Sequence, residues 1–242
     1  AFFDLYYRPN NATLTVVGDF DPDETLSLIE QYFGDIPRGE EPPPVACDYS
    51  FEVGEQGRSW DDEHANLPAV IVGFRSPPHS HDDTRALTFL STILGEGESS
   101  RLNRALVRDE QSSLQAASFL NSRRGPGMFL TIAIANQGVD AEVLQEQLNR
   151  EVQRIVTEGV TEAELEKARN AFRADYVFQS QTTMQIAERL QHYIHYHDSL
   201  DDMDTDLDRY MQVTAEDVRR VAAKYLVPEN SYTITIVPKS GA

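Results

Sequence analysis

The sequence predicts a mixed fold of strands and helices, and three patterns support this prediction. Residues 69–74 (AVIVGF) are rich in β-branched side chains, which is typical of a buried strand. Residues 82–94 carry apolar side chains every three or four positions, which is typical of an amphipathic helix. Residues 114–120 and 128–135 flank a glycine- and proline-containing turn, so we expect them to pair as antiparallel strands. The expected inward positions of the helix are Ala86, Phe89, Leu90, Ile93 and Leu94.

The beginning of the chain predicts one strand and one helix, followed by a linker. Residues 12–17 (ATLTVV) are typical of a strand. Asp21 is the expected N-cap of the next helix, with Pro22 at its first position and Glu24 at the capping-box position. The expected apolar stripe of this helix is Leu26, Ile29 and Phe33. Residues 36–44 (IPRGEEPPP) are rich in proline and charge, and therefore predict an extended linker.

The later part of the sequence predicts several helices and a final strand. A helix at 139–156 is followed by Gly159, and Thr161 with Glu164 forms a capping box for the next helix. The remaining expected elements are a helix with Leu165, Ala168, Phe172 and Tyr176 on one side, a helix with Ile186, Leu190, Tyr193 and Ile194, a helix opened by Thr214 and Asp217, and strands at 49–53 and 231–237.

The stretch 94–115 (LGEGESSRLNRALVRDEQSSLQ) stands out in this acidic chain. It contains two glycines, which permit positive φ and close backbone approach. A second helix follows, and its arginines recur at a spacing that places them on one face. They are Arg101, Arg104 and Arg108. The spacing leaves two interpretations open, a solvated face paired with nearby carboxylates or a face that contacts a ligand.

Composition excludes some classes of function. The 242 residues include 40 acidic and 21 basic side chains, which give a net charge of −19. Nucleic-acid binding requires a basic surface, so we exclude it. No segment has the length and apolarity of a membrane span, and the single cysteine, Cys47, excludes an internal disulfide. The acidic runs at 61–63 and 198–208 predict solvated surface.

The two ends of the sequence resemble each other. Three residues near the start recur 219 positions later (225 minus 6, for example): Tyr6, Pro9 and Asn11. A predicted strand follows in both places. This predicts an internal repeat, in which residues 1–40 are the tail of one copy, 41–63 a linker and entry strand, and 64–242 a second copy.

Six segments in a fixed order carry a family resemblance. They are YYRPNNATLTVVGDFD with FGDIP, LPAVIVGFRSPP, LGEGESSRLNRALVRDEQ, GPGMFLTIAI, GVTEAELEKARNAF and VTAEDVRRVAAKYLVPEN. Together they resemble the insulinase/pitrilysin family of zinc peptidases, the inverzincins, which include the mitochondrial processing peptidases. The first segment resembles the end of the family's first half, and the others resemble its second half. The resemblance implies an α+β fold, in which each half is a mostly antiparallel sheet packed with helices. It also implies that two halves close like a clamshell around a peptide.

The family's chemistry requires an H-x-x-E-H helix, in which two His bind zinc and the Glu is the general base for zinc-bound water. In the family this helix lies in the first half, and none of the six histidines of this sequence sits in such a motif. Residues 60–64 (WDDEH) are the nearest match, but Trp replaces the first ligand and a helix is disfavoured there. His192 and His195 are one helical turn apart, whereas His197 lies nearer the apolar side. We therefore expect no metal site in this chain and zinc in the missing half.

The resemblance also implies which residues contact substrate. The loop with Gly95 and Gly97 would guide a peptide, and Arg108 matches an arginine that assists at the scissile carbonyl. The family has a tyrosine seven positions later, where this sequence has Gln115. A glutamine amide could donate a hydrogen bond in place of the phenol.

These observations predict the C-terminal part of a zinc metallopeptidase, inactive alone, that holds peptide against a zinc-bearing half. Its expected partners are a peptide or protein substrate and that half, in the same or a partner chain. The alternative is a non-catalytic peptide-binding or structural subunit of the same family. Substrate specificity and compartment stay open.

Overall fold

The structure, a computed structural model, describes residues 1–44 and 56–239. The chain divides into two compact units, Ala1–Ser50 with Asp175–Asp201 and Phe51–Ala174 with Asp202–Ala242. This division groups Asp175–Asp201 with the N-terminal residues, whereas the proposed repeats place it in the second copy. The repeat assignment itself stays a prediction. Cys47 and the expected strand at 49–53 lie outside the described residues.

Five strands of the larger unit form a sheet within the described residues. They are β1 Gln56–Asp62, β2 Ala69–Ser76, β3 Ser113–Asn121, β4 Gly127–Ala135 and β5 Ser231–Pro238. Their order across the sheet is β1-β5-β2-β4-β3. β1 runs parallel to β5, and the other neighbouring pairs are antiparallel. The mostly antiparallel sheet and the β3–β4 pair predicted from the sequence are therefore confirmed.

The helices complete the α+β architecture. They are α1 Phe2–Tyr6, α2 Pro22–Phe33, α3 Asp83–Gly95, α4 Ala141–Glu158, α5 Glu162–Phe178, α6 Thr183–His197, α7 Asp206–Met211 and α8 Ala215–Tyr225. All but α1 and α7 were expected from the sequence. The Asp21 carboxylate accepts the Glu24 N–H at 2.9 Å, and capping boxes form at Thr161 and Thr214. In the described part of the chain, no helix combines the length and apolarity that crossing a membrane would need.

One face of the sheet packs under α3, α4 and α8 and forms the core. Along β4 the side chains alternate, because successive residues of a strand point to opposite faces. Phe129 and Ala133 are fully buried, whereas Leu130 and Ile132 are only half-buried. Full burial of a large apolar side chain stabilises the fold by about 1.5–3 kcal/mol. The expected inward residues of α3 are all buried: Ala86, Phe89, Leu90, Ile93 and Leu94.

The opposite face of the sheet is apolar and partly open to solvent. Trp60 of β1, Ile234 of β5 and Met128 of β4 are all exposed. Directly paired residues of neighbouring strands share a face. Gln115 pairs with Ile134, so it lies on this open face rather than in the core.

A buried carboxylate at the start of α3 joins that helix to α8. Asp83 accepts hydrogen bonds from Arg220 at 2.6 Å, Lys224 at 2.8 Å and the Tyr225 hydroxyl at 2.8 Å. Burial alone would raise the pKa of Asp83, but these hydrogen bonds outweigh that effect and hold the pKa far below its usual range.

A second buried carboxylate corrects an expectation. The acidic run 198–208 was expected to be solvated surface, but Asp206 is buried. Its carboxylate accepts a hydrogen bond from Arg85 of α3 at 3.1 Å. The prediction is wrong at this residue because α7 packs against α3, where the partly buried Arg85 pairs with Asp206.

The smaller unit corrects another expectation. Residues 12–17 were expected to form a strand, but they pair with no strand among the described residues. A strand requires a neighbour for its backbone N–H and C=O groups, and side-chain contacts cannot replace a full ladder. Gln191 of α6 donates one such contact, to the Thr13 carbonyl at 3.1 Å. Residues 37–44 contain no helix or strand, and their role as a linker stays a prediction.

Candidate functional site

The two glycines at the end of α3 and just after it have different structural roles. Gly95 ends the helix directly against β3, and a Cβ atom there would lie only 1.8 Å from the Ser118 nitrogen. No side chain fits without moving one of the two backbones. Gly97 adopts a φ of +76°, and a Cβ there would meet nothing within 4 Å. Gly95 is therefore required for packing, whereas Gly97 is required for the conformation of an open loop.

Local hydrogen bonds close the loop around Gly97. The Gly97 carbonyl accepts the Ser100 N–H at 3.1 Å and the Ser100 hydroxyl at 2.7 Å. Ser100 is buried, so this serine anchors the start of the following helix. On the exposed side of the loop, Ser99 forms a hydrogen bond with Lys167 of α5.

Arg101 fastens the loop to the beginning of α5. Its guanidinium donates two hydrogen bonds to the Glu164 carboxylate, both at 2.8 Å, and a third to the Gly159 carbonyl at 3.0 Å. Glu164 also accepts the Thr161 N–H, which completes the capping box. The hydrogen bonds from Arg101, followed by those from Thr161, lower the pKa of Glu164 to about 2. For Arg101, the interpretation as a paired structural arginine is therefore the correct one.

The three arginines do not share one environment. Residues Asn103–Asp109 form a π-helix, in which the Glu110 N–H reaches the Ala105 carbonyl five residues back. The α-helical period that predicted one shared arginine face therefore does not apply here. The side chain of Arg101 is 12% exposed, that of Arg104 is 46% exposed and that of Arg108 is 64% exposed. Within the part of the chain that the structure describes, Arg108 forms one ion pair, with its neighbour Asp109 at 3.0 Å.

A polar network fixes the end of the π-helix. Glu110 contacts both Gln147 and Arg150 of α4. The buried Ser112 hydroxyl donates to the Gln147 side-chain oxygen at 2.6 Å and to the Leu106 carbonyl at 3.2 Å. Between them, Gln111 adopts a φ of +53°, which is uncommon for a residue with a side chain. The exposed Arg108 thus projects from a segment held at both ends, by Arg101 before it and by this network after it.

Gln115 follows on β3, the edge strand of the sheet. Its side chain is exposed, and it lies on the open apolar face beside Ile134. Substitution here would not disturb the core. The roles of Arg108, Gly95, Gly97 and Gln115 toward a substrate stay predictions, although the structure gives Gly95 a packing role that the sequence pattern did not reveal.

The histidines do not form the zinc motif. Trp60 lies in β1 rather than in a helix, and the exposed Glu63 and His64 follow the end of that strand. On α6, His195 is exposed, whereas His192 and His197 are half-buried with ring centroids 6.4 Å apart. The rings of His192 and His197 thus lie near each other toward the end of the helix, before Asp198.

Known proteins resemble this chain over most of its length. Residues 1–172 match the family model of the Peptidase M16 inactive domain. The zinc protease PqqE of Helicobacter pylori is 30% identical over 241 residues, covering 98% of this chain and 54% of that protein. An uncharacterized zinc protease of Mycobacterium leprae is 27% identical over 172 residues, covering 71% of this chain and 38% of that protein. This chain spans about half the length of such relatives, or less.

Solved structures support the same architecture. The crystal structure of a protease from Helicobacter pylori aligns with a TM-score of 0.89 at 27% identity, over 98% of this chain and 58% of that one. A peptidase M16 inactive domain from Pseudomonas fluorescens aligns with a TM-score of 0.77 at 15% identity, over 93% of this chain and 52% of that one. The second likeness, at such low identity, supports the fold alone.

Proposed function

Because the chain belongs to the Peptidase M16 inactive domain family, we propose that it is the non-zinc half of a zinc metallopeptidase. In this role it holds peptide substrate against a zinc-bearing half supplied by the same protein or by a partner chain. The family match also confirms the resemblance to insulinase/pitrilysin zinc peptidases that the sequence motifs indicated.

The residues of this chain do not fit the family's zinc site. The sequence has no H-x-x-E-H, and its nearest match, residues 60–64, begins in an exposed strand. A zinc site of this kind needs two His on one face of a helix. Zinc chemistry is therefore assigned to the other half, and the contribution of this chain is to bind and orient a peptide.

The observation that carries the proposal is the setting of Arg108. Its guanidinium is exposed, whereas the loop and helix before it are fastened to α5 by Arg101 and Glu164. A fixed backbone with an exposed guanidinium suits contact with a carbonyl oxygen or carboxylate of an extended ligand. Holding a reactant in place is itself a large catalytic effect, because it removes the entropy cost of alignment.

One observation favours the alternative, a non-catalytic peptide-binding or structural subunit. Gln115 stands where the family resemblance places a tyrosine, and an amide is a weaker electrophilic donor than a phenol. A chain that only binds peptide would tolerate this replacement. The two functions differ in whether substitution of Arg108 changes turnover or only affinity.

The test uses this chain assembled with a half that carries H-x-x-E-H, with a fluorogenic peptide as substrate. Arg108→Ala should lower kcat/KM at least tenfold, which corresponds to about 1.4 kcal/mol in the transition state. The thermal midpoint should not change, because Arg108 is exposed. Arg104→Ala is the matched control on the same helix, and it should change kcat/KM less than threefold.

Three outcomes have distinct meanings. Equal small effects of the two substitutions would remove Arg108 from the substrate site. A rise in KM with unchanged kcat would favour simple peptide binding. Loss of activity together with a lower thermal midpoint would assign Arg108 to folding instead.

A further inference from the structure

The open face of the sheet is a continuous surface whose rows are set by strand pairing. Directly paired residues of neighbouring strands share a face, so each set of pairs defines a row that crosses the sheet. One row runs from Trp60 to Gln115 and another from Gln56 to Phe119. Each row takes one residue from each of the five strands. The central row, between these two, consists of Arg58, Ile234, Ile71, Ile132 and Ala117.

These three rows form an apolar surface that is large enough to hold an extended peptide. Trp60 is 55% exposed, Phe119 is 47% exposed and Ile234 is 40% exposed. Neighbouring strands lie about 4.8 Å apart and successive rows about 6.7 Å apart, so the three rows cover roughly 19 Å by 13 Å. Contiguous apolar patches of this size, about 250 Å², often mark sites that bind other molecules. The longer side equals the length of about six residues of extended chain.

The charge of this surface is opposite in sign to that of the whole chain. The chain carries 40 acidic and 21 basic side chains, yet within the three rows the single charged side chain is that of Arg58. In the next row, Arg75 of β2 pairs with Met128 and adds a second cation. On β1, the first carboxylate of this face is Asp62, at the end of the strand, where it accepts the His64 N–H at 2.8 Å. A peptide lying on the three rows therefore meets a cation and no carboxylate.

Arg58 is placed to bind an anion at one end of the central row. Its guanidinium carbon lies over the Trp60 ring, 5.2 Å from the ring centre. None of the ion pairs among the described residues involves Arg58. A guanidinium that packs on an aromatic ring still has N–H donors at its edge, where a carboxylate can accept two of them. An apolar floor and a cation at its border therefore lie side by side.

We propose that this face binds an extended peptide with apolar side chains and one carboxylate, and that Arg58 selects the carboxylate. The proposal rests on the proposed function of holding a peptide, and it adds the class of peptide that is held. Burial of the apolar rows supplies affinity. Arg58 supplies selection, because an acidic side chain gains a charge-assisted hydrogen bond whereas a basic one is repelled. Gln115 lies in the row of Trp60, so this face is continuous with the candidate site.

The test measures peptide binding to the full chain without a zinc-bearing half. Trp60 is the single tryptophan of the sequence and lies on this face, so its fluorescence reports binding, and calorimetry checks the affinities independently. The probe is a hexapeptide of alternating leucine and alanine, blocked at both ends, with glutamate as its last residue. Two comparison peptides carry glutamine or lysine there. We expect the glutamate peptide to bind about fivefold more tightly than the glutamine peptide, and the lysine peptide to bind most weakly. The preference should shrink as salt is added.

Arg58→Gln should bind the three peptides within about twofold of one another, with an unchanged thermal midpoint because Arg58 is exposed. Arg219→Gln is the matched control, because it removes the same charge from α8, in the helix layer on the other face of the sheet. It should keep the full preference for glutamate. Absence of binding, equal affinity of the wild type for the three peptides, equal effects of the two substitutions, or a fluorescence change with protein concentration alone, which indicates a second copy on this face, would each overturn the proposal. No turnover is measured, so failure here is distinguishable from failure of the Arg108 test.

Discussion

Replacing Glu164 with glutamine tests whether the fastening of the glycine loop is a stabilising interaction. The wild-type carboxylate accepts two bonds from Arg101 at 2.8 Å, and its pKa falls from 4.5 to about 2. A shift of one pKa unit corresponds to about 1.4 kcal/mol. The full shift therefore sets an upper limit of about 3 kcal/mol on what the Glu164 carboxylate contributes to the free energy of unfolding. Because solvent partly screens this carboxylate, we expect a contribution of about 2 kcal/mol.

The pH dependence has a defined sign. The pKa of Glu164 is lower in the folded state, so its contribution is complete above pH 4.5, the ordinary pKa. The contribution is lost as the pH falls from 4.5 toward the folded pKa of about 2. Glu164→Gln should therefore be less stable than the wild type by about 2 kcal/mol at pH 7, and the difference should shrink as the pH falls below 4.5.

Denaturant unfolding from pH 7 down to pH 3 measures this difference, using tryptophan fluorescence and circular dichroism. Glu166→Gln is the control, because Glu166 is an exposed residue of the same helix whose ion pair with Arg169 is long, at 3.4 Å. It should change stability by less than about 0.5 kcal/mol. A difference for Glu164→Gln that does not change with pH, or that equals the control, would refute the argument.

Two further predictions concern the loop and the sheet. Gly95→Ala should destabilise the fold by about 3 kcal/mol or more in denaturant unfolding, because its Cβ would lie 1.8 Å from the Ser118 nitrogen. Gly97→Ala should cost only about 1 kcal/mol, because the conformation is strained but the space is open; equal costs would contradict this assignment. Gln115→Tyr should leave stability within about 0.5 kcal/mol of the wild type, because its side chain is exposed on the open sheet face. In the assembled enzyme, the same substitution should maintain or raise kcat/KM. A clear loss of kcat/KM would show that position 115 does not take the role of the family tyrosine.

Local sequence patterns predicted much of the fold. The capping box of Thr161 and Glu164 was predicted from the sequence because the two residues lie three positions apart and form their hydrogen bonds within one helical turn. The glycine- and proline-containing turn before 128–135 predicted the β3–β4 pair, and the periodicity of 82–94 predicted α3, since that pattern indicates burial on one face.

Contacts between segments that are distant in sequence could not be predicted from these patterns. Arg101 is 63 positions from Glu164, so the sequence showed an arginine and a capping box but not their contact. Asp206 looked like solvated surface because nothing in its acidic run indicates that Arg85 packs against it. The strand at 12–17 was predicted from composition, yet strand formation also requires neighbours, and the described residues supply none.

The loop after α3 was predicted from Gly95 and Gly97, whereas the roles of these glycines and of Arg108 toward a substrate stay predictions. The π-helix at Asn103–Asp109 was not predicted, because the arginine spacing was interpreted with the α-helical period. The side chain of Arg101 is 12% exposed and paired with Glu164, whereas that of Arg108 is 64% exposed.

The most direct test of the central claim compares peptide cleavage by this chain alone, by a zinc-bearing half alone, and by the two co-expressed. The sequence lacks H-x-x-E-H, and Arg108 lies exposed on a fastened segment. We therefore expect no turnover from this chain alone, and a kcat/KM for the assembly at least tenfold above that of the zinc-bearing half, a difference of about 1.4 kcal/mol. Turnover by this chain alone with a stoichiometric metal ion, or an assembly no more active than the zinc-bearing half, would contradict the account.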